Sequence, residues 1–285
     1  MAELLKGVPV AEAINKKTIE GVNKLKSQGI TPTLAILRVG NSGSDIAYEK
    51  SAMKRCELVG VEVRNVILSS DVEAEVFYDV LDGLNKDKNV HGILMLRPLP
   101  SQIDSEKARK MMLPEKDIDG CTDGSMAGVY TNTKLGFEPC TARAVMEILK
   151  FYGIDPCGKR AVVIGRSLVI GRPVSLMLLH ANATPTICHT KTADITSITK
   201  NADILILASG QMESIGPEYV NPSQIVIDVG VAWNETKQKL CGDARFEELE
   251  SVVAGITPIA GGVGTVTTSI MVNHVVEAAM RINSI

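Results

Sequence analysis

The stretch KRAVVIGRSLVIGRPVSLML, residues 159–178, has the order of a strand, a glycine turn and a helix. Its apolar run ends at Gly165, and Gly171 opens the segment that has helical spacing. Backbone N–H groups at such a helix start attract an anionic phosphate. The spacing departs from the usual G-x-G-x-x-G, because Ser167 holds the second position and the last glycine comes late. The stretch therefore predicts a strand-to-helix turn that either binds a nucleotide or is an ordinary connection.

Apolar runs of the same kind recur along the chain and alternate with helical patterns. Near-continuous hydrophobicity is typical of strands covered on both faces, and the strand-then-helix alternation favours parallel sheets. The predicted strands are 33–40, 60–68, 90–96, 160–165, 184–189, 202–210 and 224–231, and the predicted helices are 11–28, 46–59, 72–86, 142–152, 172–182 and 265–282. The fold class is α/β, and a Gly- and Pro-bearing loop at 135–145 predicts a boundary between two lobes.

The composition of the chain limits the class of ligand and the cellular location. The chain has 285 residues, 45% of them hydrophobic, with 30 basic against 33 acidic side chains. This balance lacks the basic field that nucleic-acid binding requires, so a small soluble ligand is expected. The six cysteines form no C-x-x-C pair, so we expect no metal site and no disulfide framework. No apolar run approaches ~18 residues and no signal peptide is visible, which predicts a cytoplasmic protein with no membrane contact.

Two segments of the predicted nucleotide site bear on the choice of cofactor. Arg166 lies in the glycine turn, and an arginine there is a bidentate donor suited to an extra phosphate. The strand-end sequence TICHTKT (186–192) carries Thr190 and Lys191 where an NAD-selective site often has an acidic residue. These features favour NADP, while NAD stays possible because Arg166 can also serve a pyrophosphate. We interpret His189 as a structural strand-end histidine.

Several ordered stretches, taken together, carry a resemblance to a known family. They are LAILRVGNSGSDIAY (34–48), GILMLRPLP (92–100), PEKDIDG (114–120), PCT (139–141), VVIGRSLVIGRPVSLMLLHANATPTICHTKT (162–192), ADILILASG (202–210), IVIDVGV (225–231) and GITPIAGGVGTVTTSIM (255–271). Over nearly its whole length the chain resembles the methylenetetrahydrofolate dehydrogenase/cyclohydrolase family.

The resemblance implies an organisation and a reaction. It implies a folate-binding catalytic domain made of residues 1–141 and 268–285, and a Rossmann-like NAD(P)-binding domain made of residues 142–267, facing each other across a cleft in a homodimer. The implied reaction is hydride transfer from 5,10-methylenetetrahydrofolate to NADP. In the family this step is commonly followed by hydrolysis of the methenyl product to 10-formyltetrahydrofolate.

The resemblance also implies roles for individual residues. Tyr48 would line the folate cleft and Asp119 would hydrogen-bond the pterin ring, which makes these two the candidate catalytic and substrate-binding residues. By themselves, Tyr48 could be a core tyrosine and Asp119 a turn residue. Glycines in the GGVG stretch would let the backbone approach the substrate, namely Gly261, Gly262 and Gly264. The implied cofactor contacts are Gly165, Arg166, Ser167, Thr190 and Val231.

The chain departs from the family pattern at two positions. The family has Tyr-x-x-x-Lys, and its lysine is the main actor in hydrolysis, but Ala52 holds that place here. The strand that normally reads VQLPLP, with a glutamine supporting the lysine, reads MLRPLP, so Leu96 stands at the glutamine position. Measured around the helix axis from Tyr48, the residue four positions later lies at about 40°. Lys50 and Lys54 lie at about 200° and 240°, so they point away from Tyr48.

These departures predict unequal effects on the two reactions. Hydride departure leaves a cation that the substrate's own nitrogens stabilise, so positioning supplies much of the catalysis. Hydrolysis needs proton transfer, to which a placed acid or base contributes ~10²–10⁴-fold. We therefore expect a dehydrogenase with little or no cyclohydrolase activity. Two alternatives stay open: a bifunctional enzyme that recruits Lys50, Lys54 or Arg97, and a non-catalytic nucleotide or folate binder.

Other departures affect loops. Ala260 and Thr265 stand where prolines are usual, and Ala142 and Arg143 follow PCT where Pro and Gly are common. They bear on the shape of the substrate loops and remove no reacting group.

Overall fold

The computed structural model describes all 285 residues and divides into two compact units. The first unit contains Met1–Ala11 and Thr141–Thr267, and the second contains Glu12–Cys140 and Thr268–Ile285. Three helices are shared between these ranges, α1 (Gly7–Ser27), α6 (Cys140–Phe151), of which only Cys140 belongs to the second unit, and α10 (Val263–Ile282). No helix of the chain is both long enough and apolar enough to cross a membrane.

The first unit is built on a six-stranded parallel sheet. Its strands are β1 (Glu3–Leu4), β5 (Arg160–Ile164), β6 (Thr184–Cys188), β7 (Ile204–Leu207), β8 (Ile225–Asp228) and β11 (Gly255–Ile256), in the order β1-β11-β8-β7-β5-β6. The central strands β5 and β7 are buried along nearly their whole length, as strands covered by helices on both faces should be. The helices of this unit are α6 (Cys140–Phe151), α7 (Gly171–His180), α8 (Ile195–Lys200) and α9 (Phe246–Leu249), and a two-stranded hairpin is formed by β9 (Ala232–Asn234) and β10 (Lys239–Cys241).

The second unit has a three-stranded parallel sheet in the order β3-β2-β4. The strands are β2 (Thr33–Val39), β3 (Glu62–Leu68) and β4 (Gly92–Met95), and the helices are α2 (Gly43–Val59), α3 (Ala74–Lys86), α4 (Ser105–Met111) and α5 (Asp123–Thr131). Its core joins β2 and β4 to α3 through buried side chains such as Leu37, Phe77 and Ile93. Helix α10 packs against α1, where Thr18 donates a hydrogen bond to Asn273.

The predicted α/β fold is confirmed, and each of the seven predicted strands and six predicted helices is present with its ends shifted by a few residues. The compact units differ from the predicted domains at the N-terminus. Residues Met1–Ala11 group with the sheet of the first unit, because Glu3 and Leu4 pair with Gly255 and Ile256. Two-residue strands such as β1 carry no periodic signal, so the sequence did not indicate this pairing.

Candidate active site

A cavity of about 410 Å³ lies in the first unit beyond the carboxyl ends of β5, β6 and β7. Open parallel sheets bind ligands at such strand ends, where connections leave in opposite directions. Four of the predicted cofactor residues line it, namely Gly165, Arg166, Ser167 and Thr190. The cavity is also lined by residues that the sequence reading did not single out, among them Ser209, Gln211, Ser214 and Tyr219.

The turn between β5 and α7 is held in a narrow conformation that only glycine permits. Gly165 has φ +132°, and a Cβ there would overlap the carbonyl oxygen of Ala208 at the end of the neighbouring strand. A Cβ on Gly171 would overlap the carbonyl oxygen of Gly165. The two glycines therefore let the chain fold back on itself before α7. The first turn of α7 has no side-chain cap and no acidic residue. A helix start of this kind suits an anionic group.

A buried pair of aspartates supports the far wall of the cavity. Asp243 accepts hydrogen bonds through one oxygen from the Ser209 N–H at 2.6 Å, the Ser209 hydroxyl at 2.8 Å and the Gly210 N–H at 3.1 Å. Asp228 in turn accepts from the Asp243 N–H at 3.2 Å and the Ala244 N–H at 2.8 Å. Burial raises the pKa of the Asp228 carboxyl to about 7, and the charge of Asp243 acts in the same direction. The small Ser-Gly step after β7 was the only sequence signal for this wall.

The other residues predicted for the first unit lie outside that cavity lining. Val231 is 63% exposed in the segment between β8 and β9. Gly261 has φ +78° and accepts a hydrogen bond from the Gly7 N–H, and a Cβ on Gly262 would overlap the Pro258 carbonyl. The loop thus needs these glycines for its own shape, and their contact with a substrate stays a prediction. His189, by contrast, lines the cavity, and its Nδ1 accepts a hydrogen bond from the Lys191 N–H. Its structural role stays a prediction.

In the second unit, Tyr48 lies on α2 and is 36% exposed. Burial of its phenol group raises the pKa well above the ordinary value, and the charge of Asp119 acts in the same direction. Tyr48 therefore stays protonated at neutral pH and can donate a hydrogen bond but cannot act as a base. The same effect indicates that Asp119 lies within electrostatic reach of Tyr48, although 71 residues separate them in the sequence.

The two aspartates of the KDIDG stretch have different roles. Asp117 is fully buried beside β4 and accepts hydrogen bonds from the Cys121 N–H at 3.0 Å, the Thr122 N–H at 2.7 Å and the Ser125 hydroxyl at 2.6 Å. It fixes the turn that leads into α5. Gly120 completes this turn with φ +70°, where a Cβ would lie 2.7 Å from the Phe137 carbonyl oxygen. Asp119 is left at the edge of the turn with its side chain 28% exposed.

Arg97 follows β4 and pairs with Asp119, with Nη2 lying 3.4 Å from Oδ2. Burial raises the pKa of the Asp119 carboxyl to about 6, while the charge of Arg97 lowers it and that of Asp117 raises it. The neighbouring Cys140 thiol has a pKa raised well above its usual value, chiefly by burial and then by the charge of Asp119. Tyr48, Arg97, Asp119 and Cys140 thus form one polar group, which we call the Tyr48 cluster.

The positions one helical turn from Tyr48 and at the end of β4 are apolar and enclosed. Ala52 is 1% exposed on the same face of α2 as Cys56 and Val59, and Leu96 is 5% exposed. Lys50 and Lys54 are exposed, as their angular positions on the helix predict. Neither Ala52 nor Leu96 has a side-chain group that can act as an acid or a base.

Comparison with known families identifies the chain. The model described as "Tetrahydrofolate dehydrogenase/cyclohydrolase, catalytic domain" matches residues 5–119, and the model described as "Tetrahydrofolate dehydrogenase/cyclohydrolase, NAD(P)-binding domain" matches residues 139–283. The chain belongs to the tetrahydrofolate dehydrogenase/cyclohydrolase family. The NAD(P)-binding model covers the cavity at the ends of β5, β6 and β7, and the catalytic model covers Tyr48, Arg97 and Asp119.

Individual members of the family are similar over the full length. The "Bifunctional protein FolD" of Carboxydothermus hydrogenoformans is 43% identical over 286 residues, covering 100% of both chains. The crystal structure of the bifunctional FolD of Campylobacter jejuni has a TM-score of 0.95 at 36% identity, covering 99% of each chain. The Trypanosoma brucei dehydrogenase-cyclohydrolase, solved with NADP cofactor and an inhibitor, has a TM-score of 0.91 at 32% identity, covering 98% of each chain. The folate-enzyme family expected from the sequence is confirmed.

Proposed function

We propose that this chain transfers a hydride from 5,10-methylenetetrahydrofolate to NADP, giving 5,10-methenyltetrahydrofolate, and that it hydrolyses this product weakly or not at all. The observation that carries the second half is the pair of enclosed apolar residues Ala52 and Leu96, at 1% and 5% exposure. The family pattern has a lysine and a glutamine at these positions. This chain would therefore keep the dehydrogenase activity and lack most of the cyclohydrolase activity, although several relatives are named for both.

The cavity of the first unit suits the proposed cofactor. The glycine turn brings the backbone of Gly165 to the cavity, and Arg166 and Ser167 add a cation and a hydroxyl. The Trypanosoma brucei relative was solved with NADP, which supports NADP over NAD here. When bound, NADP supplies the nicotinamide carbon that accepts the hydride. Arg166, Ser167 and Thr190 would hold the phosphates and ribose, and NAD remains the alternative.

The Tyr48 cluster suits the recognition of a neutral pterin. Asp119 offers carboxylate oxygens to ring N–H groups, and the protonated Tyr48 offers a hydroxyl donor. Loss of a hydride from a carbon between two nitrogens needs this orientation and no base, because the nitrogen lone pairs stabilise the cation that forms. Positioning of this kind contributes on the order of 7–11 kcal/mol in favourable cases.

Hydrolysis requires a group that takes a proton from water and moves it within the adduct. Tyr48 stays protonated, and the guanidinium of Arg97 keeps its proton in proteins and pairs with Asp119. Lys50 and Lys54 lie on the exposed side of α2. The helix face that carries Tyr48 and Ala52 therefore lacks an amine to do this work.

A bifunctional enzyme is the second candidate, and it is favoured by the names of the similar relatives, which are bifunctional proteins. In that case Lys50, Lys54 or Arg97 would replace the missing lysine. A non-catalytic binder with a decayed folate lobe is the third candidate, and the intact KDIDG stretch, with Asp119 at the exposed edge of its turn, argues against it. A homodimer and a cytoplasmic location stay predictions, of which light scattering of the purified chain tests the first.

A two-product assay separates these candidates. With methylenetetrahydrofolate and NADP, we expect NADPH and the methenyl product to rise together, with conversion to the formyl product at the uncatalysed rate. Prompt enzymatic formation of 10-formyltetrahydrofolate would support the bifunctional candidate instead. The absence of any NADPH or NADH would support the binder.

Restoring the missing pair tests the physical cause. The double variant Ala52→Lys, Leu96→Gln is expected to gain cyclohydrolase activity of about 10²-fold over the parent, because a positioned amine supplies proton transfer. The matched control is Ser51→Lys, Leu96→Gln, which adds the same charge at an exposed neighbouring position. A double variant that keeps dehydrogenase activity but gains no hydrolysis would refute the explanation.

A further inference from the structure

Arg97 differs from the other members of the Tyr48 cluster, because the family stretch VQLPLP has a leucine in its place. The residue follows β4, whose four residues are all buried, and its own side chain is 33% exposed. The guanidinium could therefore have pointed to solvent. It turns instead to Asp119, with Nη2 lying 3.4 Å from Oδ2.

Arg97 is the side-chain cation that pairs with Asp119. Asp117 lies two residues away and its carboxylate is occupied by Cys121, Thr122 and Ser125. Without Arg97, the carboxyl of Asp119 would face the charge of Asp117 and its own partial burial, and both favour the protonated form. A protonated carboxyl has fewer acceptor sites for the N–H groups of a pterin ring.

We infer that Arg97 is a positioning residue that keeps Asp119 ionised and oriented for the folate ring. This inference rests on the proposed function, and it adds a residue that the family pattern does not contain. The pair is long and partly exposed, so its effect on stability is small. Its effect on substrate binding is larger, because it acts on the protonation state of the group that contacts the ring.

Tyr48 and Cys140 of the cluster, and the nearby Cys121, do not change charge in the same range. Burial raises the pKa of Tyr48, and burial together with the charge of Asp119 or Asp117 raises the pKa values of Cys140 and Cys121. These three groups stay neutral between pH 5 and 8. His274 of α10 also faces this cluster, with Nδ1 3.7 Å from the Cys140 Sγ. A change in folate affinity within this range is therefore assigned to Asp119 only where it disappears in an Asp119→Asn background.

The test compares Arg97→Leu and Arg97→Lys with the parent by steady-state kinetics in methylenetetrahydrofolate from pH 5 to 8.5, at saturating NADP. In the parent, the KM for folate should rise as the pH falls through about 6, where Asp119 takes up a proton. In Arg97→Leu the midpoint should move upward by about one pH unit, since an opposite charge lowers a carboxyl pKa by 1–3 units. At pH 7 the KM should then rise at least about twofold, with kcat unchanged, because half of the carboxyl is protonated.

Two further variants show whether the effect of Arg97→Leu comes from structural damage. Arg97→Lys keeps the positive charge and should return the midpoint toward that of the parent. In an Asp119→Asn background, Arg97→Leu should leave the KM and its pH dependence unchanged, because the two residues act through one interaction. An unchanged midpoint in Arg97→Leu, or an equal loss in both backgrounds, would overturn the inference.

A readout without turnover separates this inference from the proposed function. If the parent does not oxidise methylenetetrahydrofolate at all, the proposed function fails. The protonation of Asp119 is then followed by comparing the thermal unfolding of the parent and of Asp119→Asn against pH. Because its pKa is raised on folding, the stabilising effect of the proton is lost as the pH rises through the folded pKa. The inference holds if this loss extends to higher pH in the Arg97→Leu background, and it fails if the two curves coincide.

Discussion

The cavity at the ends of β5, β6 and β7 and the Tyr48 cluster are built from different parts of the chain. The cavity depends on backbone: a glycine at φ +132° and a second glycine packed against it, which shape the turn before α7. The Tyr48 cluster depends on side chains from α2, the end of β4, the turn before α5 and the start of α6. A site built from backbone loses its ligand binding when the backbone conformation changes. A side-chain site can lose one chemical step by substitution, while the fold and the remaining contacts persist.

The largest expected effect is that of a single methyl group in the glycine turn. Gly165→Ala should lower kcat/KM with NADP by about 100-fold, because the Cβ overlaps the Ala208 carbonyl and displaces the turn, and small misplacements at a site cost on this order. Steady-state kinetics and NADP titration measure it. The matched control is Gly153→Ala, where φ is +66° and no atom lies within 4 Å of the added Cβ, so backbone strain is introduced away from the cavity. Equal activity in the two variants would show that the turn does not shape the cofactor site.

The next effect separates the two aspartates of the KDIDG stretch. Asp117→Asn should lower the free energy of unfolding by about 1–3 kcal/mol, since an amide nitrogen replaces an acceptor oxygen in a fully buried set of hydrogen bonds. Urea unfolding measures this loss. Asp119→Asn should cause no such loss of stability at neutral pH and should raise the KM for folate. The reverse assignment, a structural Asp119 and a binding Asp117, is excluded if both results are obtained and supported if they are exchanged.

A smaller effect concerns the pH dependence of the wall that Asp228 and Asp243 support. The pKa of Asp228 is raised by burial to about 7, so the folded state holds a proton that the unfolded state releases near pH 4. Stability from this group therefore falls as the pH rises from about 4 to 7 and is constant above that range. The melting temperature of the parent, measured relative to that of Asp228→Asn, should decline over this interval. A parent and a variant with parallel curves would contradict it.

The smallest effect is expected on the exposed side of α2. Lys50→Ala and Lys54→Ala should each change both activities by less than about twofold, as substitutions at exposed positions alter free energies by no more than about 0.5 kcal/mol. The measurement is the same two-product assay. A loss of residual hydrolysis in either variant would identify that lysine as the recruited group and favour a bifunctional enzyme.

The sequence by itself determined the α/β class, the positions of most strands and helices, and the glycine turn. These features follow from local patterns: apolar runs in covered strands, and glycine where no side chain fits. The family and the two apolar substitutions at Ala52 and Leu96 were also readable there, because they are matters of residue identity. The angular position of a residue on a single helix is local too, and Lys50 and Lys54 lie on the exposed side as that geometry predicts.

Only the tertiary structure decided which distant side chains meet. It joined Glu3–Leu4 to Gly255–Ile256, buried Asp117 in the turn and left Asp119 at the edge of that turn. It also turned Arg97 toward Asp119. It also placed Ser209 on the wall held by Asp243. These contacts join segments 22 to more than 250 residues apart or choose between neighbours of the same chemical type. The sequence pattern does not give the distance between such groups. Their burial and the interaction of their charges depend on that distance.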